Sequence, residues 1–420
     1  MSRDTLKRAL GNVFLGAIVL FLLWCYLASA GFMAERPGYG DFRTFHASVR
    51  ELIQGGDIYA RIPIADYLDE DSLPPGTPEF YNPNLNPPFQ TVVLFPLGFL
   101  DYAHAFMVWT LVGLFCGVAG GILLGFGLAE RGKRARSSLV LTIVLLACYP
   151  TAMSVLFGQW ALLPFLFVVL AWMAWRTGKP GVAGAVLGLL AAIKLFFGAF
   201  FLLFLFRREW RAVLTFLASW LLCTVASAVL VGLDTTLDYI SIVRGAHWFG
   251  SSWNGSFLGF FTRAFGGGET IPLVSAPSLT PLLSYACAAL AVSSLLPLRK
   301  PAPAGSVDQV RDDLSFVLVV PVMLLVSPFG WMYYFPFLMV PLAVLWKTSA
   351  HFRARRILRS LLALAWLLAV IPNPVIRPRD INGDPTQILL RSGVYFYTLL
   401  LFWGLAWGTQ RALLRKPGPA

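Results

Sequence analysis

Charged residues are scarce in this chain of 420 residues. Asp, Glu, Lys and Arg together make up 13% of it, whereas 57% is hydrophobic and 15% aromatic, and the mean hydropathy is +0.70. So few charges exclude an ordinary soluble globular protein and indicate an all-α chain that crosses a membrane many times. The net charge of +12 is therefore interpreted as a mark of membrane topology, and no nucleic-acid partner is expected.

Cysteine is equally sparse. The five cysteines lie inside or beside apolar segments, and none has the CxxC or Cys/His spacing of a zinc site. This pattern argues against a disulfide framework and against a structural zinc ion.

The apolar segments and the basic loops together predict a topology. The run 13–32 follows Arg3, Lys7 and Arg8 and is long enough to span a bilayer, with the N-terminus in the cytoplasm. Continuing by the same rule gives roughly twelve membrane segments in one domain, 1–420, with both termini cytoplasmic. A bacterial inner membrane with the active face in the periplasm is the simplest location, and an ER membrane with a luminal face is the alternative. Two long external loops result, 33–104 and 232–280.

The segment 181–206 is the one place where the charge rule decides between two topologies. A single long span would put Lys194 near the bilayer centre and Arg207 outside, and both are costly. Two short helices that go out and return leave Lys194 at the outer surface. We therefore predict a broken or re-entrant pair near Lys194.

The first external loop begins with the candidate for the chemistry. Phe42 to Gln54 has the apolar spacing of an amphipathic helix, and Gly55 follows it as a C-cap would. Asp41 comes directly before this helix. It is either only the N-cap or a catalytic carboxylate at the membrane surface.

A carboxylate, cations on neighbouring external loops and aromatic membrane edges suit transfer of a group from a lipid phosphate to a hydroxyl. The carboxylate takes the acceptor's proton, the cations stabilise the departing phosphate, and the aromatic rings offer faces to sugars or to the lipid chain. Because a phosphate leaving group needs little protonation, one carboxylate suffices, whereas glycosidases normally need two.

A series of short motifs, in order from about residue 39 to 335, resembles the polyprenol-phosphate-dependent mannosyltransferases of glycosyltransferase family 87. The motifs are Gly40-Asp41-Phe42, Gly55-Gly56-Asp57, Asn86-Pro-Pro-Phe89, Gly158-Gln159, Ala183-Gly184 through Gly188 to Lys194, Arg207 to Arg211, Asn254-Gly-Ser256 with Arg263, and Ser327-Pro328 with Trp331.

This resemblance implies the GT-C fold and an inverting glycosyltransferase. The donor would be a polyprenyl-phosphate sugar, with mannose as the default, and the acceptor a hydroxyl of a glycolipid or glycan. The family's catalytic carboxylate carries over to Asp41. The chain departs from the family pattern in two places: Lys194 is followed by Leu-Phe-Phe instead of a proline-containing turn, and Tyr333-Tyr334 stands where family members often have histidine. The second departure leaves assistance by a histidine, and with it the acceptor, open.

Six further residues are expected to bind substrate or its phosphate, and for four of them, Lys194, Arg263, His247 and Asn254, a purely structural role is the alternative. Lys194 contacts phosphate or only extends to the membrane surface, and the fork of Arg263 suits phosphate oxygens. His247 binds substrate or caps a helix. Asn254 opens a glycosylation-type triplet that also fits a polar turn. Tyr333 and Tyr334 complete the set.

No cofactor and no obligatory metal are expected. Some GT-C enzymes bind a divalent ion through paired acidic residues in the first external loop, but Asp41 has no adjacent carboxylate. The acidic run Asp69-Glu70-Asp71 is flanked by prolines and is interpreted as a solvated turn.

Two other classes of function remain open from the sequence. A transporter or flippase of a lipid-linked saccharide would need charges buried between long helices, and only Lys194 hints at that. A scaffolding membrane protein without chemistry is the third hypothesis. The oligomeric state is left open.

Overall fold

The protein is an all-α membrane protein. The computed structural model describes residues 3–36, 40–63, 83–246, 248–267, 271–296, 306–377 and 383–414. Asn254 and Trp331 form an isolated antiparallel bridge. The helices, in chain order, are α1 (Arg3–Ala34), α2 (Phe42–Gln54), α3 (Pro88–Leu94), α4 (Tyr102–Leu128), α5 (Arg134–Leu146), α6 (Tyr149–Leu156), α7 (Leu162–Arg176), α8 (Pro180–Ile193), α9 (Ala199–Arg207), α10 (Trp210–Val231), α11 (Leu233–Arg244), α12 (Phe257–Phe261), α13 (Leu279–Ser293), α14 (Ser306–Val326), α15 (Met339–Thr348), α16 (Arg355–Ala369), α17 (Asn373–Ile376), α18 (Pro385–Ser392) and α19 (Val394–Leu414).

The helix lengths support membrane insertion but do not confirm twelve spans. Among the described residues, α1, α4 and α10 are long and apolar enough to cross a bilayer, and the bent pairs α5–α6 (64°) and α18–α19 (55°) raise the number to as many as five. Several other apolar helices, α7, α8 and α13 among them, have only 10–17 residues. The central helix is α14, whose residues from Leu314 to Leu325 are buried, as expected for a helix that is apolar on all sides.

Helix α2 forms with the bounds that the sequence predicts. Gly55 adopts a left-handed conformation (φ 75°) and its N–H donates to the carbonyl of Leu52, so the helix ends as the glycine pair indicates. Its apolar face buries Phe42, Phe45 and Val49, and the Phe42 ring meets that of Trp109 on α4 at a centroid distance of 6.4 Å. The packing fixes the N-terminus of α2, and therefore Asp41, against α4.

The predicted break at Lys194 is present. Helix α8 ends at Ile193, a short 3₁₀ turn spans Leu195–Gly198, and α9 begins at Ala199. Small residues hold α8 against α10: a Cβ on Gly184 would lie 2.3 Å from the carbonyl oxygen of Ala212, and one on Gly188 2.3 Å from that of Phe216. Only glycine permits this backbone approach, which sets the position of Lys194 at the end of α8.

Ion pairs at the ends of α7 and α9 join both helices to α14. Arg207 bonds to Asp312, and Arg176 Nε lies 3.7 Å from Asp313 Oδ2. The indole of Trp172 donates to Asp313 Oδ1 at 2.9 Å. Because these charges are largely buried and paired, removing one partner would leave an uncompensated charge, so the arginine-rich motif that starts at Arg207 has a structural task.

Candidate active site

A polar cavity of about 350 Å³ collects residues from six separate parts of the chain, one of which is the loop before α3 that carries Asn86. Asp41 comes from the start of α2, Gln159 from the turn after α6, Lys194 from the break after α8, Trp253 from the segment before α12, and Tyr333 from the 3₁₀ helix Met332–Leu338. The sequence predicts Asp41, Lys194, Tyr333 and Tyr334 as site residues, and all four line this one cavity.

Asp41 occupies the N-cap position of α2, yet its side chain does not cap the helix. Its Oδ2 instead accepts a hydrogen bond of 2.6 Å from Gln159 Nε2, 118 residues away in the chain. Burial raises the pKa of the Asp41 carboxyl, and the Gln159 hydrogen bond and the positive charges of Arg43 and Lys194 counteract part of that rise. The alternative of a mere helix cap is therefore not what the geometry shows.

The turn that carries Gln159 depends on Gly158. Gly158 has φ +65°, and a Cβ at this position would lie 2.5 Å from Cβ of Phe42. Its carbonyl accepts from the indole of Trp109 at 2.9 Å, while the neighbouring carbonyl of Phe157 accepts from the Phe42 amide at 3.0 Å. The turn is thus held directly against the first residue of α2, which brings Gln159 to Asp41.

Lys194 is held by two neutral side chains at the edge of the cavity. Its Nζ donates to Asn86 Oδ1 and, at 2.8 Å, to the hydroxyl of Tyr334. Both partners are neutral, and among the residues that the structure describes Lys194 forms no ion pair. Burial lowers its pKa to about 7, and the charge of Asp41 counteracts part of that fall. A cation held in this way is placed to bind an anionic group of a ligand.

Asn86 is fixed by a buried network in the loop before α3. Its side-chain amide donates to Asn84 Oδ1 at 2.7 Å, and its carbonyl accepts from the hydroxyl of Tyr59 at 2.9 Å. Asn84 in turn donates to Gln90 Oε1 at 3.1 Å. Because the amide orientation of Asn86 is set by these bonds, its oxygen faces Lys194.

A second, apolar cavity of about 450 Å³ adjoins the polar one. The two share four lining residues, Leu85, Lys194, Trp331 and Tyr334. Beyond this boundary the apolar cavity is lined by side chains of α9 and α14, such as Leu202 and Val322. Lys194 therefore stands where a polar chamber meets an apolar one.

Aromatic side chains form one wall of the polar cavity. The ring of Tyr333 lies 5.4 Å from that of Trp253 and 5.9 Å from that of Phe157, and Trp248 and Trp331 also line the cavity. Such rings provide flat apolar faces, and their N–H and O–H groups can still bond polar ligands.

Asn254 and Arg263 are not among the residues that line the cavity; they lie in the loop and helix that follow Trp253. Asn254 is fully buried; its amide donates to the carbonyls of Phe249 (3.0 Å) and Pro328 (2.9 Å), and its Oδ1 accepts from Gly330 N–H at 3.1 Å. Arg263 is 3% exposed and donates to the carbonyl of Asn254 at 3.0 Å. Asn254 is thus a polar turn residue without room for a glycan, and both residues shape the loop that carries Trp253.

Two of the remaining predictions concern residues that the structure does not describe, namely His247 and the acidic run Asp69-Glu70-Asp71. Within the described ranges no group of three or more His, Cys, Asp and Glu side chains is arranged to hold a metal ion, and metal independence stays a prediction. Asp57 accepts from the Tyr59 N–H at 2.8 Å, the bond of an Asx turn.

Sequence reasoning did not assign functions to Gln159, Asn86 or the tryptophans of the wall. Gln159 and Asn86 both stand inside motifs that carry the family resemblance, which was the available signal. Trp248 and Trp253 flank the polar segment of the second loop, where aromatic residues on a membrane edge are common and carry little information.

The helices and the cavity define a helical membrane protein with a carboxylate and a lysine in one polar chamber. The model of glycosyltransferase family 87 matches residues 84–328. The chain belongs to this family and is a membrane glycosyltransferase.

Two curated relatives carry the same name, polyprenol-phosphate-mannose-dependent alpha-(1-2)-phosphatidylinositol pentamannoside mannosyltransferase. The protein of Mycolicibacterium smegmatis is 24% identical over 377 residues, which cover 87% of this chain and 83% of the relative. That of Mycobacterium tuberculosis is 27% identical over 366 residues, which cover 83% of this chain and 74% of the relative. No solved structure is significantly similar to the chain.

Proposed function

We propose that this protein transfers mannose from a polyprenyl-phosphate mannose donor to a hydroxyl of a glycolipid acceptor, with inversion at the sugar and with Asp41 as the general base. The observation that carries the proposal is the pair of adjoining cavities, one polar with Asp41 and one apolar, with Lys194 at their junction. Donor and acceptor follow the names of the two relatives, which use a polyprenol-phosphate-mannose donor and a phosphatidylinositol mannoside acceptor.

The adjoining cavities suit the two ends of such a donor. A polyprenyl chain matches the apolar cavity, the phosphate matches the ammonium of Lys194 with the amide of Asn86 and the hydroxyl of Tyr334, and the sugar matches the polar cavity with its aromatic wall. Each match pairs a ligand group with side chains of complementary chemistry.

The reaction then needs one bond to form and one to break. The acceptor oxygen attacks the anomeric carbon as its proton passes to the Asp41 carboxylate, and the bond from that carbon to the phosphate oxygen breaks. Polyprenyl phosphate leaves with the electron pair, and Lys194 stabilises the charge that develops on it. Attack on the face opposite the phosphate inverts the anomeric configuration.

No metal or other cofactor is required in this scheme, because Lys194 supplies the positive charge at the leaving group.

The proposed topology has roughly twelve membrane segments of the GT-C type in a bacterial inner membrane, with the cavity at the periplasmic face. The strongly basic loops assigned to the cytoplasm and the acidic external loops support it.

Replacement of the proposed base tests the scheme. Asp41→Asn keeps the size of the side chain and removes the base, so we expect transfer to fall by about 10²- to 10⁴-fold while donor binding persists. Purified enzyme is incubated with a panel of synthetic polyprenyl-phosphate sugars and a phosphatidylinositol mannoside, and the mass of the acceptor is followed.

Asp57→Asn is the matched control in the same loop. Asp57 is exposed, and asparagine retains the acceptor oxygen of its Asx turn, so this variant should transfer at the wild-type rate. An Asp41→Asn enzyme that keeps a tenth or more of the wild-type rate would show that Asp41 is not the base.

A further inference from the structure

Gln159 has no role assigned to it by the family resemblance or by the relatives. Among the described residues it is the one side chain that donates a hydrogen bond to the Asp41 carboxylate, to Oδ2 at 2.6 Å. The other oxygen, Oδ1, receives no side-chain bond from the described part of the chain. The carboxylate is thus held at Oδ2 by Gln159, and Asp41 lines a polar cavity of about 350 Å³ that has room for an acceptor.

We propose that Gln159 is a positioning residue for the transfer reaction, fixing one oxygen of Asp41 so that the other faces the acceptor hydroxyl. This inference rests on the proposed role of Asp41 as base. An amide is suited to the task because its NH2 group donates a hydrogen bond to a carboxylate oxygen. It is also neutral, so it does not compete with Lys194 for the phosphate.

The placement of Gln159 is built by the backbone around it. Its own N–H donates to the carbonyl of Ser154 at 2.7 Å, and the preceding Gly158 takes the left-handed conformation against Phe42. The contact between this turn and Phe42 therefore fixes the positions of Gln159 and Asp41 relative to each other. A rigid attachment of this kind keeps a base within the narrow range of geometry that proton transfer requires.

The same bond also favours the ionised carboxylate. Burial raises the pKa of Asp41, and Gln159 is the largest of the influences that lower it, ahead of Arg43 and Lys194. Lys194 also faces Asp41; burial lowers its pKa to about 7, so it loses its charge on the alkaline side of the profile. Tyr333 and Tyr334, which face Asp41 as well, stay neutral over the working range. Since the base acts only when ionised, losing the Gln159 bond moves the fall in activity to higher pH.

The pH profile of kcat/KM separates this role from simple packing. In Gln159→Leu we expect the acid limb to move up by about 1 to 2 pH units, the effect of one lost hydrogen bond to a charged group. The deficit in rate should accordingly shrink as the pH rises. Gln159→Met is close to glutamine in size and has no N–H donor, so its acid limb should move in the same direction as that of Gln159→Leu.

A second substitution reaches Gln159 through the backbone. Gly158→Ala adds a Cβ at φ +65° that clashes with Phe42, so the turn must shift and the bond to Asp41 should weaken. We expect its acid limb to move in the same direction as that of Gln159→Leu. Gln54→Leu, the same chemical change at the exposed end of α2, should leave the profile unchanged.

The outcomes are distinct from those that test the base itself. All variants are assayed with synthetic polyprenyl-phosphate mannose, and donor binding is measured in parallel to verify folding. If Gln159→Leu does not fold, Gln159→Met, which also lacks the N–H donor, provides the same measurement. An unmoved acid limb in the folded Gln159 variants, whatever their rate, overturns the positioning role of Gln159. The assignment of Asp41 as the base would still stand in that case, provided that Asp41→Asn is inactive at every pH.

Discussion

Replacing Lys194 by methionine is the substitution that most directly tests how the donor is held. Methionine keeps the length of the side chain and removes its charge and its N–H donors. Among the described residues its ammonium donates hydrogen bonds to Asn86 and Tyr334, and its charge helps to lower the pKa of Asp41. The substitution removes these interactions together with the cation at the boundary between the two cavities.

The expected loss follows from the contacts that the donor phosphate would make. A hydrogen bond to a charged group contributes about 1.5–3 kcal/mol, and each ~1.4 kcal/mol corresponds to a tenfold change in rate. If the ammonium stabilises the leaving phosphate, kcat/KM should fall by about 10- to 150-fold. The loss should appear in kcat as well as in KM, because the charge on the phosphate grows during the reaction.

The assay measures kcat and KM for synthetic polyprenyl-phosphate mannose, with thermal unfolding as a check on stability. Lys179→Met is the matched control, since Lys179 is exposed at the other end of α8. Lys194→Met also leaves the Asn86 amide oxygen and the Tyr334 hydroxyl without their donor, which costs about 1–3 kcal/mol of stability, so both variants are compared well below their unfolding temperatures.

One result would refute the reasoning about the phosphate. If Lys194→Met unfolds at a lower temperature but retains a kcat/KM within about threefold of Lys179→Met, Lys194 is a structural residue that joins α8 to the loop before α3. A reduced affinity for the donor with an unchanged kcat would restrict its role to ground-state binding.

Two further predictions concern the cofactor and the lipid chain. Activity should persist in excess chelator, because Lys194 provides the charge that a metal would otherwise supply; a loss that magnesium or manganese restores would contradict this. Leu202→Trp should fill part of the 450 Å³ apolar cavity and raise KM for a long-chain donor more than for a donor with two isoprene units, as measured by initial rates. Leu205→Trp on the exposed side of α9 is the control, and an equal effect of both variants on both donors would exclude the cavity as the lipid site.

Several features of the fold were predictable because their causes lie within a few residues of each other. Helix α2 has its apolar periodicity and its glycine C-cap in the local sequence, and the structure shows both. The break at Lys194 was predictable for a different reason: a charge in the middle of an apolar run, followed by arginines, makes an uninterrupted span costly. The number of spans was less accessible, since several apolar helices are shorter than a bilayer is thick.

The roles of Arg263 and Asn254 show where local reasoning is weakest. An arginine and an asparagine on a polar loop suit a ligand equally well as a structural bond, and their residue types alone do not distinguish the two. In the structure both are buried and bond to backbone carbonyls, because the loop that carries Trp253 and the segment after α14 need partners for their polar groups.

The sequence by itself determined a helical membrane protein of glycosyltransferase family 87 and named Asp41 and Lys194 as the residues of interest. Composition, charge asymmetry and short ordered motifs suffice for that, since each can be recognised along the chain. The tertiary structure decided which side chains these two residues meet: Gln159 lies 118 residues from Asp41, and Asn86 and Tyr334 lie 108 and 140 residues from Lys194. Such bonds between single polar side chains depend on how distant helices and turns pack together, and no pattern in a local stretch of sequence specifies them.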